Sequence, residues 1–136
     1  MKNRVVHFEI QADNVERAAN FYKKAFGWDI KKYEAKDPKD TESMGMDYWM
    51  VMTGPKETPG INGGMYIRMP ERKLHTFDCT IQVDDIDKAI TDVKMNGGMI
   101  EGEKMEMKGV GWFARAKDTE GNMFGLMQAT NPDMEM

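Results

Sequence analysis

Ile10-Gln11-Ala12-Asp13-Asn14-Val15-Glu16-Arg17-Ala18 decides how this chain is read, because the stretch returns. Residues 81–89 are Ile81-Gln82-Val83-Asp84-Asp85-Ile86-Asp87-Lys88-Ala89. Ile10/Ile81, Gln11/Gln82, Asp13/Asp84 and Ala18/Ala89 are identical, and the other positions are conservative replacements. Gly27 and Gly98 match at the same spacing. Self-similarity at a fixed spacing is the mark of one supersecondary unit built twice.

A second match, Gly63-Gly64-Met65-Tyr66 against Gly121-Asn122-Met123-Phe124, comes at a shorter spacing, so the first copy carries a surplus. The surplus falls in the charged, proline-containing stretch 35–47, which reads as a surface loop. The expected organisation is a single domain over 1–136, with a first unit at 4–70, a join near 70–73, a second unit at 74–129 and a tail at 130–136.

Each copy reads the same way. Val6, Phe8 and Ile10 alternate with His7, Glu9 and Gln11, which predicts a half-buried strand. Asn14 caps a helix whose apolar residues Val15, Ala18, Ala19, Tyr22, Ala25 and Phe26 recur at helical spacing, and Gly27 stops it. Strands are expected near 28–34, 47–53 and 63–69. In the second copy Phe77, Cys79, Ile81 and Val83 alternate with Asp78, Thr80 and Gln82. Asp84 or Asp85 caps a helix carrying Ile86, Ala89, Ile90 and Val93, and Gly97-Gly98 ends it. Strands near 99–107, 110–117 and 122–128 follow, with turn chemistry at 118–122. The predicted fold class is α+β: two βαβββ repeats forming paired, cupped, mixed sheets with helices outside. The sheet face away from each helix must be covered or line a cavity.

Composition bounds the function. With 136 residues, 40% hydrophobic and 31% charged, the chain is one globular domain rather than a disordered segment. A formal net charge of −4 and no basic stripe argue against a nucleic-acid partner. The single cysteine, Cys79, excludes an internal disulfide and a cysteine-based zinc site. Its alternation places it on the helix side as a buried small residue. No apolar run reaches membrane-spanning length and no leader-like stretch opens the chain, so a cytoplasmic protein without membrane contact is expected. Open strand edges predict a homodimer.

Asn14-Val15-Glu16-Arg17-Ala18-Ala19-Asn20-Phe21-Tyr22, Phe26-Gly27-Trp28 and Asp118-Thr119-Glu120-Gly121-Asn122, in this order and with the repeat, resemble the vicinal oxygen chelate superfamily. That superfamily includes glyoxalase I, extradiol dioxygenases, bleomycin-resistance proteins and methylmalonyl-CoA epimerase. Pro59-Gly60-Ile61-Asn62-Gly63-Gly64, Gly109-Val110-Gly111-Trp112-Phe113-Ala114 and Phe124-Gly125-Leu126-Met127-Gln128 are similar to its small proteins related to lactoylglutathione lyase. The resemblance implies a cup of strands and a divalent metal held by His, Gln and Glu. Position by position, His7 matches a ligand, Asp78 is an unusual substitute, and Gly125 and Ile67 have no ligating side chain. A transition-metal site generally needs three or more protein ligands. No metal residues are therefore assigned, and the cofactor stays open between none and a divalent metal.

The ligand-binding candidates are His7, Glu9, Asp78 and Thr80 on the predicted polar faces, with Trp49 and Trp112 as aromatic walls. Trp28, Tyr48 and Phe113 are further aromatic candidates. A carboxylate in such a cup can act as a base. No catalytic residue is assigned. Three functions follow: a metal-free protein holding a small organic molecule; a lyase, isomerase or epimerase acting on a small carbonyl compound; and an interaction module with an inert cup.

Overall fold

The computed structural model describes residues 3–34, 47–70 and 77–130. The elements are β1 (Arg4–Ala12), α1 (Val15–Phe26), β2 (Asp29–Lys32), β3 (Trp49–Met52), β4 (Gly63–Ile67), β5 (Phe77–Gln82), α2 (Ile86–Met95), β6 (Met99–Met107), β7 (Gly111–Lys117) and β8 (Met123–Ala129). This is the βαβββ order twice. The chain divides into two compact units, residues 7–77 and residues 78–136 together with 1–6. Most of the expected surface loop, all but one residue of the expected join, His75 and residues 131–136 of the expected tail lie outside the described residues.

In the first unit the strand order is β2-β3-β4-β1. β1 and β4 run parallel, with Glu9 opposite Gly64 and Gln11 opposite Tyr66, while β2–β3 and β3–β4 are antiparallel. The helix forms where the sequence says. Asn14 Oδ1 accepts from the Arg17 N–H at 2.9 Å, and Gly27 closes the helix at φ 75°, a left-handed conformation that glycine adopts at little cost. α1 packs on the sheet through Val15 and Ala19, against Phe8, Ile10, Ile30, Val51 and Met65. Tyr22 stacks on Trp28 with centroids 4.9 Å apart. Burying each such large side chain contributes about 1.5–3 kcal/mol.

The second unit has the order β5-β8-β7-β6, with β5 and β8 parallel and Thr80 opposite Gly125. Asp85, not Asp84, caps α2, accepting from the Lys88 N–H at 3.1 Å. The core joins Val83, Ile86, Ala114 and Leu126. In the turn before β8, Asp118 accepts from the backbone N–H of Glu120 and Asn122 and from the Asn122 amide, at 2.8, 2.9 and 3.0 Å. The side-chain bond from Asn122, then these backbone bonds, holds its carboxyl below the usual carboxylate range.

One expectation fails here. Cys79 points away from the polar face, as its alternation requires, but it is exposed. α2 packs on β6, β7 and β8, so the start of β5 extends beyond its cover and Phe77 is 53% exposed as well.

Candidate functional site

The site grows from the period-two alternation of β1. Phe8, Ile10 and Ala12 enter the core under α1, so His7, Glu9 and Gln11 take the opposite face. That face is not wet. His7, Glu9 and Gln11 are 2%, 6% and 4% exposed. A buried carboxylate needs partners, since an unpaired charge there costs several kcal/mol (an order-of-magnitude figure).

Glu9 finds them in Tyr48 and His7. The Tyr48 hydroxyl lies 3.0 Å from each Glu9 oxygen and 2.8 Å from His7 Nε2. His7 Nε2 lies 3.1 Å from Glu9 Oε1. Tyr48 O–H donates to the carboxylate, and His7 Nε2 faces both the phenol oxygen and Glu9 Oε1. Nδ1 is buried and has no partner among the described residues.

Tyr48 reaches this position through two local features. The Tyr33 N–H donates to the Tyr48 carbonyl at 2.8 Å, extending the β2–β3 ladder by one rung. Residue 64 is a glycine, and a Cβ there would fall on the Tyr48 hydroxyl and ring. The phenol therefore occupies the space a residue 64 side chain would take.

The second unit repeats the plan with different chemistry. Asp78, Thr80 and Gln82 are 6%, 0% and 7% exposed. Register makes Gly125, opposite Thr80, the counterpart of Gly64, opposite Glu9. A Cβ at Gly125 would lie 3.0 Å from the Phe113 ring and 3.0 Å from Thr80 Oγ1. Thr80 Oγ1 has no hydrogen-bond partner among the described residues. Ile67, which repeat spacing had offered as the counterpart of Gly125, pairs with Ala12 at the end of β4 and is 56% exposed.

The structure thus brings together His7 and Glu9, with Tyr48, and sets Asp78 and Thr80 on the matching face of the other unit. Trp49 and Trp112 lie elsewhere. Trp49 packs on the core under α1, beneath Lys32 Nζ at 5.8 Å from its ring, and lines a cleft of about 360 Å³ with Glu16 and Lys23. Trp112 packs on the α2 core beneath Lys104 Nζ, 4.6 Å away. A cleft of about 550 Å³ at the start of α1, between Arg17, Phe21, Arg68 and Phe77, contains none of His7, Glu9 and Tyr48. Among the described residues no group of three or more His, Cys, Asp and Glu is placed to hold a metal ion. No helix among them is long and apolar enough to cross a membrane.

Comparison with solved structures shows the same fold over the whole length. A hypothetical protein of Bacillus halodurans is 14% identical, with 99% of this chain and 100% of that one covered and a TM-score of 0.69. Methylmalonyl-CoA epimerase solved with methylmalonyl-CoA and NH4+ is 14% identical, covering 96% of both chains, with a TM-score of 0.64. A Streptomyces coelicolor methylmalonyl-CoA epimerase variant in complex with 2-nitronate-propionyl-CoA is 14% identical over 100% of this chain and 99% of that one, with a TM-score of 0.65. No curated protein sequence matches this one. The superfamily's sequence profile matches residues 4–126, which takes in both repeats. On that match the chain belongs to the Glyoxalase/Bleomycin resistance protein/Dioxygenase superfamily.

Proposed function

We propose that this chain holds a small organic molecule on the polar face of its first unit, without the complete metal site of its superfamily. One observation carries the reading. The strand positions opposite Glu9 and Thr80 are glycines whose side-chain space is taken by Tyr48 and by Phe113 with Thr80. His7 and Asp78, alone at the remaining family positions, are too few to fix a transition metal. The donor set does not fit the metal.

The chain's own groups supply polar recognition instead. Tyr48 offers a hydroxyl, Glu9 a carboxylate and His7 an Nδ1 with no partner among the described residues, all anchored by mutual hydrogen bonds. Such pre-organised polar groups in a desolvated surface fix a ligand's orientation. Asp78 and Thr80 are proposed to serve the same ligand class from the second unit. The expected homodimer is part of this proposal, and sedimentation of the purified protein tests it.

A second reading is supported by the same triad. A carboxylate base beside a phenol and an imidazole can move a proton next to a carbonyl, as a lyase, isomerase or epimerase requires. The test combines metal content with binding. Protein purified without chelator is assayed for metal, and its thermal unfolding is followed with Ni, Zn, Mn and Fe(II), then with a panel of small organic molecules. The proposal expects no bound metal, no metal-dependent shift, and a ligand-dependent rise in unfolding temperature, because a native-state ligand stabilises by mass action. Near-stoichiometric metal lost on His7→Ala overturns it. Solvent deuterium entering the α-carbon of methylmalonyl-CoA, and abolished by Glu9→Gln, establishes the second reading.

A further inference from the structure

Gln11 is the first unit's least explained side chain. It is 4% exposed, and neither Nε2 nor Oε1 has a hydrogen-bond partner among the described residues. Exchanging the two atoms changes nothing, since both are unpaired. An amide carries two donors and an acceptor oxygen. Leaving a buried polar group unsatisfied costs about 1–3 kcal/mol, and native proteins rarely do so without water or a ligand at the site. Gln11 continues the row of His7 and Glu9, about 7 Å beyond Glu9 along the strand. Across β4 it faces Tyr66, which is 1% exposed, so an aromatic body flanks it. The backbone of Gln11 is already committed, its carbonyl accepting from Arg68 Nη2 at 3.3 Å. Only the side chain is left to be satisfied.

Resting on the binding role proposed for this face, we infer that Gln11 is a specificity-determining residue for an uncharged ligand with an amide edge, a primary carboxamide or a lactam. Two features select that class. The glutamine amide presents N–H and C=O side by side, and a ligand carrying C=O beside N–H satisfies both, whereas a ketone satisfies one and an alkyl group neither. Glu9, accepting through both oxygens, puts a carboxylate one alternation away in a desolvated strip. A second anion there is repelled, which selects against carboxylate ligands.

Nitrogen-15 NMR of the full chain tests this through the Gln11 side-chain amide, assigned by its loss in Gln11→Met. The probes are 2-pyrrolidone, cyclopentanone and acetate. The expected result is a saturable shift of the Gln11 amide with 2-pyrrolidone, a weaker response to cyclopentanone and none to acetate. Gln11→Met, which keeps the side-chain volume, should weaken 2-pyrrolidone by about tenfold, the loss of one paired amide edge. Equal responses to 2-pyrrolidone and cyclopentanone, or a Gln11 amide showing only a persistent water contact that no probe displaces, overturn the inference. If Gln11→Met does not fold, the Gln11 amide is assigned by through-bond triple-resonance experiments on the wild type, and the ranking of the probes on it decides alone. Failure here is separable from failure of the binding proposal. Organic molecules that shift His7 and Tyr48 resonances while leaving Gln11 unmoved retain the binding site and remove the amide preference.

Discussion

Gly64→Ala tests the site's construction directly. The three heavy atoms nearest to an added Cβ at residue 64 all belong to Tyr48, and the contact falls far inside van der Waals distance. Gly64 has no left-handed backbone angle, so alanine meets no backbone strain there. The single methyl must therefore evict the phenol. Eviction removes a hydroxyl bonded to both oxygens of a buried carboxylate and to His7. Hydrogen bonds to charged groups contribute about 1.5–3 kcal/mol, and among the described residues Glu9 would keep only His7 at 3.1 Å. The expected loss is about 3 kcal/mol, read by urea unfolding as a lower midpoint at unchanged slope.

The background decides the meaning. In Tyr48→Ala the obstructing ring is gone, so Gly64→Ala should be neutral or stabilise by about 0.5–1 kcal/mol, the usual advantage of alanine over glycine inside a strand. In Tyr48→Phe the ring carbon still blocks the methyl but the hydroxyl's hydrogen bonds are already gone, so Gly64→Ala should cost less than in the wild type and more than in Tyr48→Ala. The coupling between positions 48 and 64 is thus about 3 kcal/mol, far above the few tenths expected of independent sites. Equal costs for Gly64→Ala in the wild type and in Tyr48→Ala would refute the reasoning, because the phenol would then not be what glycine makes room for.

Three further outcomes follow from the same geometry. Gly111→Ala should destabilise by at least about 2 kcal/mol in chemical denaturation, since Gly111 sits at φ 149° and its Cβ would run into the Gln128 backbone carbonyl, which cannot rotate away. Cys79, exposed on β5, should react with a thiol reagent in the native protein at a rate close to that of a small free thiol, and a rate slowed to that of global unfolding would show it covered. Asp118 should titrate below its ordinary value in carbon-detected NMR. Because its folded value is depressed, its contribution to stability is present above the unfolded carboxyl range and is lost as pH falls through the lowered value, and Asp118→Asn should flatten that acid limb.

The repeat made the fold legible, since the recurrence at residues 81–89 carried two strands, two caps and two helices at once. Asn14 and Gly27 end α1 as capping chemistry requires. The buried row of His7 and Glu9 followed from alternation. The aromatics did not. Tyr48 and Phe113 reach the glycines of the polar faces, whereas their neighbours Trp49 and Trp112 pack under the helices. In a strand a displacement of one residue inverts the face. The large indoles looked like walls, but their area is what a helix core buries. Val51, fully buried in the α1 core, carries the signal that fixes the parity of β3. What approaches Gly64, a phenol sixteen residues earlier in the chain, follows only from the register of β3 on β4.

Register also shows what the duplication kept and what it changed. Gly64 lies between Glu9 and Met50, and Gly125 between Thr80 and Arg115. Tyr48 stands two residues before Met50, and Phe113 two before Arg115, so the two rings are equivalents, each filling the space over a glycine. The shape of that arrangement is common to both units, and its chemistry is not. One unit places a phenol on a carboxylate and an imidazole, while the other places a bare phenyl ring beside a threonine hydroxyl. Packing needs explain a ring over each glycine. They do not explain a hydroxyl on one ring alone, aimed at an imidazole and a carboxylate. The two units therefore share one packing arrangement and differ in the polar groups set around it, His7, Glu9 and Tyr48 in the first and Thr80 in the second.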